Sequence, residues 1–268
     1  MADDKRPVII VTGASSGIGE ATARVFGANG YRVVLAARRL DRLQALKVEI
    51  ENKGGAALAV ETDVSSALAL QSLVDQTLAS YGQIDILFNN AGFGRTKWLE
   101  EMDPEKDVEA QVQVNLTSVI LATRAVLPHM IARRAGHIIN MCSLAGFVAT
   151  PTYTVYAATK FGIRGFSDAL RREVGVWDIN VSVIYPGGVS TEFGQHMQAE
   201  RKTKIKTPKA LLLSADDVGR AVLSVARKPV RARILPGISR VGVLLAAAFP
   251  GLNDWIVERT FTKPERGL

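Results

Sequence analysis

The sequence predicts an α/β protein built on a doubly wound parallel sheet, one domain followed by a C-terminal extension. Three observations predict it. Short apolar runs alternate with longer stretches of helical periodicity along most of the 268 residues, the pattern of strands joined by crossover helices. The first run, Val8-Ile9-Ile10-Val11, has no polar alternation, which suits a strand buried on both faces. It passes directly into Thr12-Gly13-Ala14-Ser15-Ser16-Gly17-Ile18-Gly19, a glycine-rich turn in the strand-to-helix context of a phosphate cradle.

The elements follow in order. After the turn, Ala21, Ala23, Val25 and Phe26 mark a helix that Gly30 stops. A strand over 31–37 completes a βαβ unit, whose crossover is right-handed. A charged helix covers 39–53 and a strand 56–60. A helix over 65–81 follows, with Ser65 as its candidate N-cap. A strand over 84–88 precedes a long helical stretch, 104–134, in which Pro128 marks a kink or break. Residues 137–141 read as a strand, and the helix carrying Tyr156 runs to about 177. A strand over 181–185 comes next. Residues 214–226 are helical, with Ser214 as cap and Asp216 and Asp217 at the positive end. A last strand at 233–235 closes a domain spanning 1–235.

Two stretches fall outside this rhythm. Residues 191–208 are polar and basic and follow a strand end, where open sheets bind ligands. They read as a mobile lid or as an ordinary solvated segment, within a substrate loop of about 188–212. The extension, 236–268, carries Val241 to Phe249, then Trp255, Ile256 and Phe261. It is expected to pack on the domain or its oligomer, with pocket covering or peripheral membrane contact as alternatives.

Composition narrows the classes. The net charge is +7, compatible with an anionic cofactor, nucleic acid or an acidic membrane surface. Arg227, Lys228, Arg231 and Arg233 lie close together, yet no nucleic-acid recognition motif accompanies them, and no nucleic-acid partner is expected. The single cysteine, Cys142, excludes an intramolecular disulfide and a cysteine-cluster zinc site. His129, His137 and His196 have no metal-ligand spacing, so no metal is expected. The first seven residues lack an apolar signal core, and no apolar run reaches the 18 or so residues of a membrane span. A cytoplasmic location is therefore the expectation.

Three features carry chemistry. Gly13, Gly17 and Gly19 permit a tight turn and a close approach to pyrophosphate, which the helix N-terminus would hold. At the end of the second strand stands Ala36-Ala37-Arg38-Arg39, with no acid to bind ribose hydroxyls. Arg38 chiefly, with Arg39, can pair with a 2′-phosphate, so NADP(H) is favoured over NAD(H). Tyr156 and Lys160 are four residues apart, one turn along a helix face. An ammonium beside a phenol favours the phenolate and lowers a pKa that is otherwise about 10.

With these residues the sequence resembles a classical short-chain dehydrogenase/reductase. Asn89-Asn90-Ala91-Gly92, Asn115, Ser143 and Pro186-Gly187 stand in the family's order with them. The resemblance covers roughly residues 7–195 and implies a Rossmann-like fold. It also implies an NADP(H)-dependent oxidoreductase that interconverts a carbonyl and an alcohol. Tyr156 would be the general acid in reduction and the base in oxidation. Lys160 would lower its pKa and bind the nicotinamide ribose, Ser143 would hold the substrate oxygen, and Asn115 would hold a water in a proton relay. The cofactor set would be Gly13, Ser15, Ser16, Gly17, Ile18, Gly19, Arg38, Arg39, Asp63, Val64, Asn90, Ala91, Gly92, Tyr156, Lys160, Pro186, Gly187, Val189 and Thr191. Thr12 would help brace the turn. Ser16 stands where some NADP-dependent members carry a basic residue.

The substrate pocket would be bounded by Ser143, Leu144, Ala145, Phe147, Tyr153, Tyr156, Gly188, Val189 and Phe193. That mostly apolar lining points to a hydrophobic or lipid-like carbonyl. Cys142 should face away from it as a packing residue. The resemblance also implies a homodimer or homotetramer, with the long helices at an interface. The alternative from another class is a non-catalytic NADP-binding sensor or scaffold on the same fold.

Overall fold

A computed structural model describes residues 5–192 and 208–268 of the chain. Strand β1, Val8–Thr12, is wholly buried, as its unbroken apolar run requires. Helix α1, Gly17–Gly27, returns the chain to β2, Arg32–Ala37. Then come α2, Leu40–Asn52; β3, Ala56–Glu61; α3, Ala67–Tyr81; and β4, Ile86–Asn89. A helical run of 30 residues, α4, Pro104–Arg133, leads to β5, Gly136–Met141. Helix α5, Thr154–Val174, leads to β6, Ile179–Pro186. The short strands β7, Val189–Ser190, and β8, Leu213–Ser214, pair with each other. Helix α6, Ala215–Arg227, precedes β9, Ala232–Leu235. Helices α7, Ser239–Ala248, and α8, Pro250–Arg266, form the extension.

The main sheet has seven strands in the order β3-β2-β1-β4-β5-β6-β9, every neighbouring pair parallel. This is the doubly wound arrangement expected from the alternation of elements. Two apolar layers cover its faces. One joins Phe26, Leu43, Leu46 and Val222 to β1 and β2. The other joins Leu70, Leu73, Val126 and Met130 to β1, β2 and β4. Chain direction across the sheet reverses between β1 and β4, which opens a crevice beyond their C-terminal ends.

Several local expectations are corrected. Ser66, not Ser65, caps α3, its hydroxyl accepting from Ala69 N–H at 3.2 Å. Ser65 is taken by Asp63, whose carboxylate accepts both its N–H and its hydroxyl. Pro128 neither breaks nor ends its helix, which runs unbroken to Arg133. Instead, α4 contains two π-turns, Pro104–Glu109 and Gln113–Thr117. By length and hydropathy α4 could cross a bilayer, but Val119, Ala122, Val126 and Met130 bury its inner face against the domain. Ser214 caps α6 as expected, through a reciprocal box with Asp217.

Candidate active site

The crevice is a cavity of about 1370 Å³. A small-molecule pocket usually measures roughly 300–1,000 Å³, so this one has room for a long cofactor and a substrate together. The β1–α1 turn forms one end. Gly13 and Gly17 adopt φ of +67° and +57°, which only glycine takes without strain. A Cβ on Gly13 would stand 2.9 Å from Ala91 Cα, and one on Gly19 would stand 2.2 Å from Gly13 O. The turn is thus packed against the end of β4 with no spare space. Ser16 caps α1 in extended geometry, its side chain making no capping hydrogen bond to the helix. The first-turn N–H groups of Gly17 and Ile18 therefore remain open to the cavity that both residues line.

Thr12 clamps this end to β4. Its buried hydroxyl accepts from Asn90 N–H at 2.9 Å and Ala91 N–H at 3.1 Å and donates to Phe88 O at 3.3 Å. The Asn90 amide returns a bond to Thr12 O at 3.0 Å. Asn90, Ala91 and Gly92 are held as cavity wall.

Arg39 lies against the turn, donating to Ser15 Oγ at 3.0 Å and Ser16 Oγ at 2.8 Å. Exposed Arg38 lines the same end. Arg39 is thus hydrogen-bonded to the glycine turn, and both arginines line this end of the cavity. Asp63 and Val64 line the wall beside it. Hydrogen bonds from Ser65, helped by the Arg38 charge, hold the Asp63 carboxyl below its usual range.

The opposite end is built by β5, α5 and the turns after β5 and β6. Tyr156 and Lys160 sit one turn apart on α5, both buried and both lining the cavity. Lys160 Nζ donates to Met141 O at 3.1 Å and lies 5.4 Å from the Tyr156 ring centre. The Tyr156 phenol hydrogen-bonds the Ser143 hydroxyl, and Ser143 Oγ also accepts from Ala145 N–H at 3.2 Å. Tyr153 stands edge-on to Tyr156, ring centres 6.0 Å apart. Leu144, Ala145, Pro186, Gly187, Gly188, Val189 and Thr191 complete this end.

The expected electrostatics need correcting. Burial raises the Tyr156 phenol well above its ordinary value, although the Ser143 hydrogen bond opposes it. Burial also lowers Lys160. Desolvation disfavours the charged form of each group and here outweighs any depression by the lysine. Tyr156 thus carries its proton at neutral pH.

Other expected residues fall elsewhere. Asn115 stands in the second π-turn of α4, 0% exposed. Its amide bonds Phe93 in both directions, donating to Phe93 O at 2.7 Å and accepting from Phe93 N–H at 2.9 Å. It therefore holds the cavity wall at Phe93, without lining the cavity. Phe147 packs on Tyr185, ring centres 4.4 Å apart, and is not part of the wall. Cys142 reaches the cavity rim, but it is 2% exposed and packs with Val119, Ile163, Val183 and Tyr185. Phe193 and residues 193–207 lie outside the described residues. Phe93, Arg95, Gln113, Val148 and Thr150 also line the cavity and were not anticipated. No periodicity marks them, because loops supply most of them. A buried amide chain was missed as well: Asn89 to Asn140 at 2.9 Å and Asn140 to Ser167 at 2.9 Å tie β4, β5 and α5 together beneath the site.

A glycine cradle at one end of the cavity and a buried Ser-Tyr-Lys set at the other define the class: an α/β oxidoreductase that works with a nicotinamide dinucleotide. The family model described as short chain dehydrogenase matches residues 7–202, and the chain belongs to that family. An uncharacterised oxidoreductase of Staphylococcus saprophyticus is 34% identical over 233 residues, covering 85% of this chain and 93% of the relative. An alcohol dehydrogenase of the archaeon Thermococcus sibiricus, solved with 5-hydroxy-NADP, is 30% identical with a TM-score of 0.76. That match covers 86% of this chain and 95% of that one. A short-chain dehydrogenase/reductase of Burkholderia phymatum, solved with NAD, has a TM-score of 0.83 at 24% identity, over 94% and 97% of the chains. At that identity it speaks for the fold alone.

Proposed function

We propose that this oxidoreductase uses NADP(H) to interconvert a hydrophobic ketone or aldehyde with its alcohol, with Tyr156 as proton donor in reduction. The observation that carries the reading is the buried Ser143–Tyr156–Lys160 set on the wall of a cavity whose far end is the glycine cradle. The residues fit a dinucleotide. The turn gives close backbone approach, the α1 N-terminus has open N–H groups, and Arg39 and Arg38 stand where a 2′-phosphate would be paired. Asp63 and Val64 would border the adenine, and Pro186, Gly187, Val189 and Thr191 the nicotinamide.

When bound, the cofactor supplies or takes the hydride. The protein's own part is the proton. Ser143 holds the carbonyl oxygen and orients the Tyr156 hydroxyl beside it. Because burial keeps Tyr156 protonated, the phenol is ready to donate as negative charge develops on that oxygen. Lys160 stabilises the phenolate this leaves, since a cation four residues along the helix lowers the cost of ionising a desolvated phenol. Asn115 fixes the Phe93 wall from both sides of its amide. Leu144, Ala145, Tyr153 and Val189 make the lining mostly apolar, which supports an apolar substrate.

Exposed Val112, Ile120 and Phe161 give the two long helices an apolar outer face, which supports a homo-oligomer joined there. Titration with NADPH and NADH, followed by nicotinamide absorbance across a carbonyl panel, tests the reading. Failure to bind NADPH, or binding without turnover on any carbonyl, would overturn it.

A further inference from the structure

We propose that α7 and α8 dock the enzyme peripherally on an anionic lipid surface. Val241, Leu244, Leu245, Phe249, Leu252 and Trp255 are each more than half exposed, at 54–67%. No residue of Ser239–Ala248 or Pro250–Val257 is buried. Six large apolar side chains so displayed form a patch that a soluble surface rarely leaves open.

The geometry suits lying in an interface rather than crossing a bilayer. Helix α7 has 10 residues, a length of about 15 Å, half of the roughly 30 Å hydrocarbon core. The two helices meet at 109°, so they cannot act as one span. Their charges complement an anionic surface. From Arg227 to Arg266 the chain carries eight cations against three acids, Asp254, Glu258 and Glu265. Arg231 is paired with Asp168, Lys263 with Glu258 and Arg266 with Glu100, and Arg233 and Arg240 are exposed. On α8, the Arg259 guanidinium lies 5.5 Å from the Trp255 ring centre, placing a cation beside an aromatic as membrane interfaces favour. Anionic headgroups would favour the exposed Arg233 and Arg240, at about 1 kcal/mol per Lys or Arg near the surface.

The platform is fastened at both ends beside the cavity. It leaves the sheet after Leu235, whose carbonyl accepts from Gly187 N–H at 2.7 Å. At its far end Arg266 pairs with Glu100 at 2.8 Å and stacks 3.8 Å over Trp98, a few residues past the cavity-lining Arg95. Docking would set the cavity beside the lipid. Entry of an apolar carbonyl from the bilayer then rests on the function proposed above, but lipid binding itself does not.

Flotation of the full-length protein separates these. The probes are vesicles of phosphatidylcholine with phosphatidylglycerol, against phosphatidylcholine alone. The expected result is binding to the mixed vesicles that weakens in high salt. Leu244→Glu with Trp255→Glu should cut the bound fraction about tenfold or more. Arg233→Glu with Arg240→Glu should also cut it, leaving the apolar patch intact. All four positions are exposed. Leu244→Ser with Trp255→Ser provides an uncharged version, and far-UV circular dichroism confirms folding. Wild-type protein that stays free of mixed vesicles would overturn the proposal. So would undiminished binding by the apolar variants. Loss of an oligomer in those variants, with vesicle binding retained, would overturn it in favour of a second copy. None of these readouts needs turnover, so they stand apart from the oxidoreductase reading.

Discussion

Thr12→Val removes one oxygen atom from the core and should loosen the cofactor end of the site. The Thr12 hydroxyl is the partner of two backbone N–H groups and one carbonyl, at 2.9, 3.1 and 3.3 Å, and Thr12 is 2% exposed. Valine keeps the shape and offers no hydrogen bond. Each buried polar group left unsatisfied costs about 1–3 kcal/mol. Asn90 and Ala91 are only half-buried and recover part of this from water, which leaves about 2–4 kcal/mol. In a domain of this size 1 kcal/mol moves Tm by about 2–4 °C, so the midpoint should fall by about 4–16 °C. Because Asn90 and Ala91 form cavity wall while Thr12 does not, NADPH affinity should weaken too, by about tenfold for 1.4 kcal/mol of lost preorganisation. Thermal melts with and without NADPH, with Thr12→Ser as rescue, make the measurement. A Thr12→Val protein that melts within about 2 °C of wild type and binds NADPH normally would refute the bracing role.

Three further outcomes follow. Gly19→Ala would push a Cβ to 2.2 Å from Gly13 O, so the turn must open. Titration should show NADPH binding weakened about a hundredfold, an effect of about 2.7 kcal/mol, and near-normal affinity would contradict it. Arg39→Ala removes the guanidinium held by Ser15 and Ser16 and should raise the Kd for NADPH about tenfold with little change for NADH. Equal losses for both would remove Arg39 from 2′-phosphate recognition. His137 is buried in β5 and pushed down to about 4 from 6.5 by desolvation. Its folded pKa is depressed, so from pH 6.5 down to about 4 the unfolded chain binds a proton that the native state refuses. Stability therefore falls with falling pH by about 1.4 kcal/mol per unit. Urea titrations at pH 7 and pH 5 should show wild type losing about 2 kcal/mol more than His137→Gln, and parallel losses would contradict the assignment.

The sheet was legible because its evidence is local. Val8 to Val11 need no partner to read as a doubly buried strand, and a glycine-rich turn before a helical pattern needs only its own spacing. The Tyr156–Lys160 pair was legible for the same reason, since i,i+4 on one helix fixes a shared face. What stayed hidden depends on distant partners. Ser65 and Ser66 are equivalent as caps until Asp63 claims the first. Arg38 and Arg39 are adjacent in sequence, and only the fold lays Arg39 on Ser15 and Ser16. Asn89, Asn140 and Ser167 are 51 and 27 residues apart, beyond any sequence period. The sign of the Tyr156 shift was also hidden. Sequence places a cation nearby but does not say how deeply the surrounding wall buries the phenol.

The most direct test is NADPH oxidation by Tyr156→Phe with a carbonyl that the wild type reduces. The phenylalanine keeps the ring between Tyr153 and Lys160 and removes the hydroxyl, and with it the transferable proton and the hydrogen bond to Ser143. Turnover should fall by about 10²–10⁴-fold, the usual contribution of a positioned general acid, with NADPH affinity nearly unchanged. Turnover close to wild type would contradict Tyr156 as the proton donor.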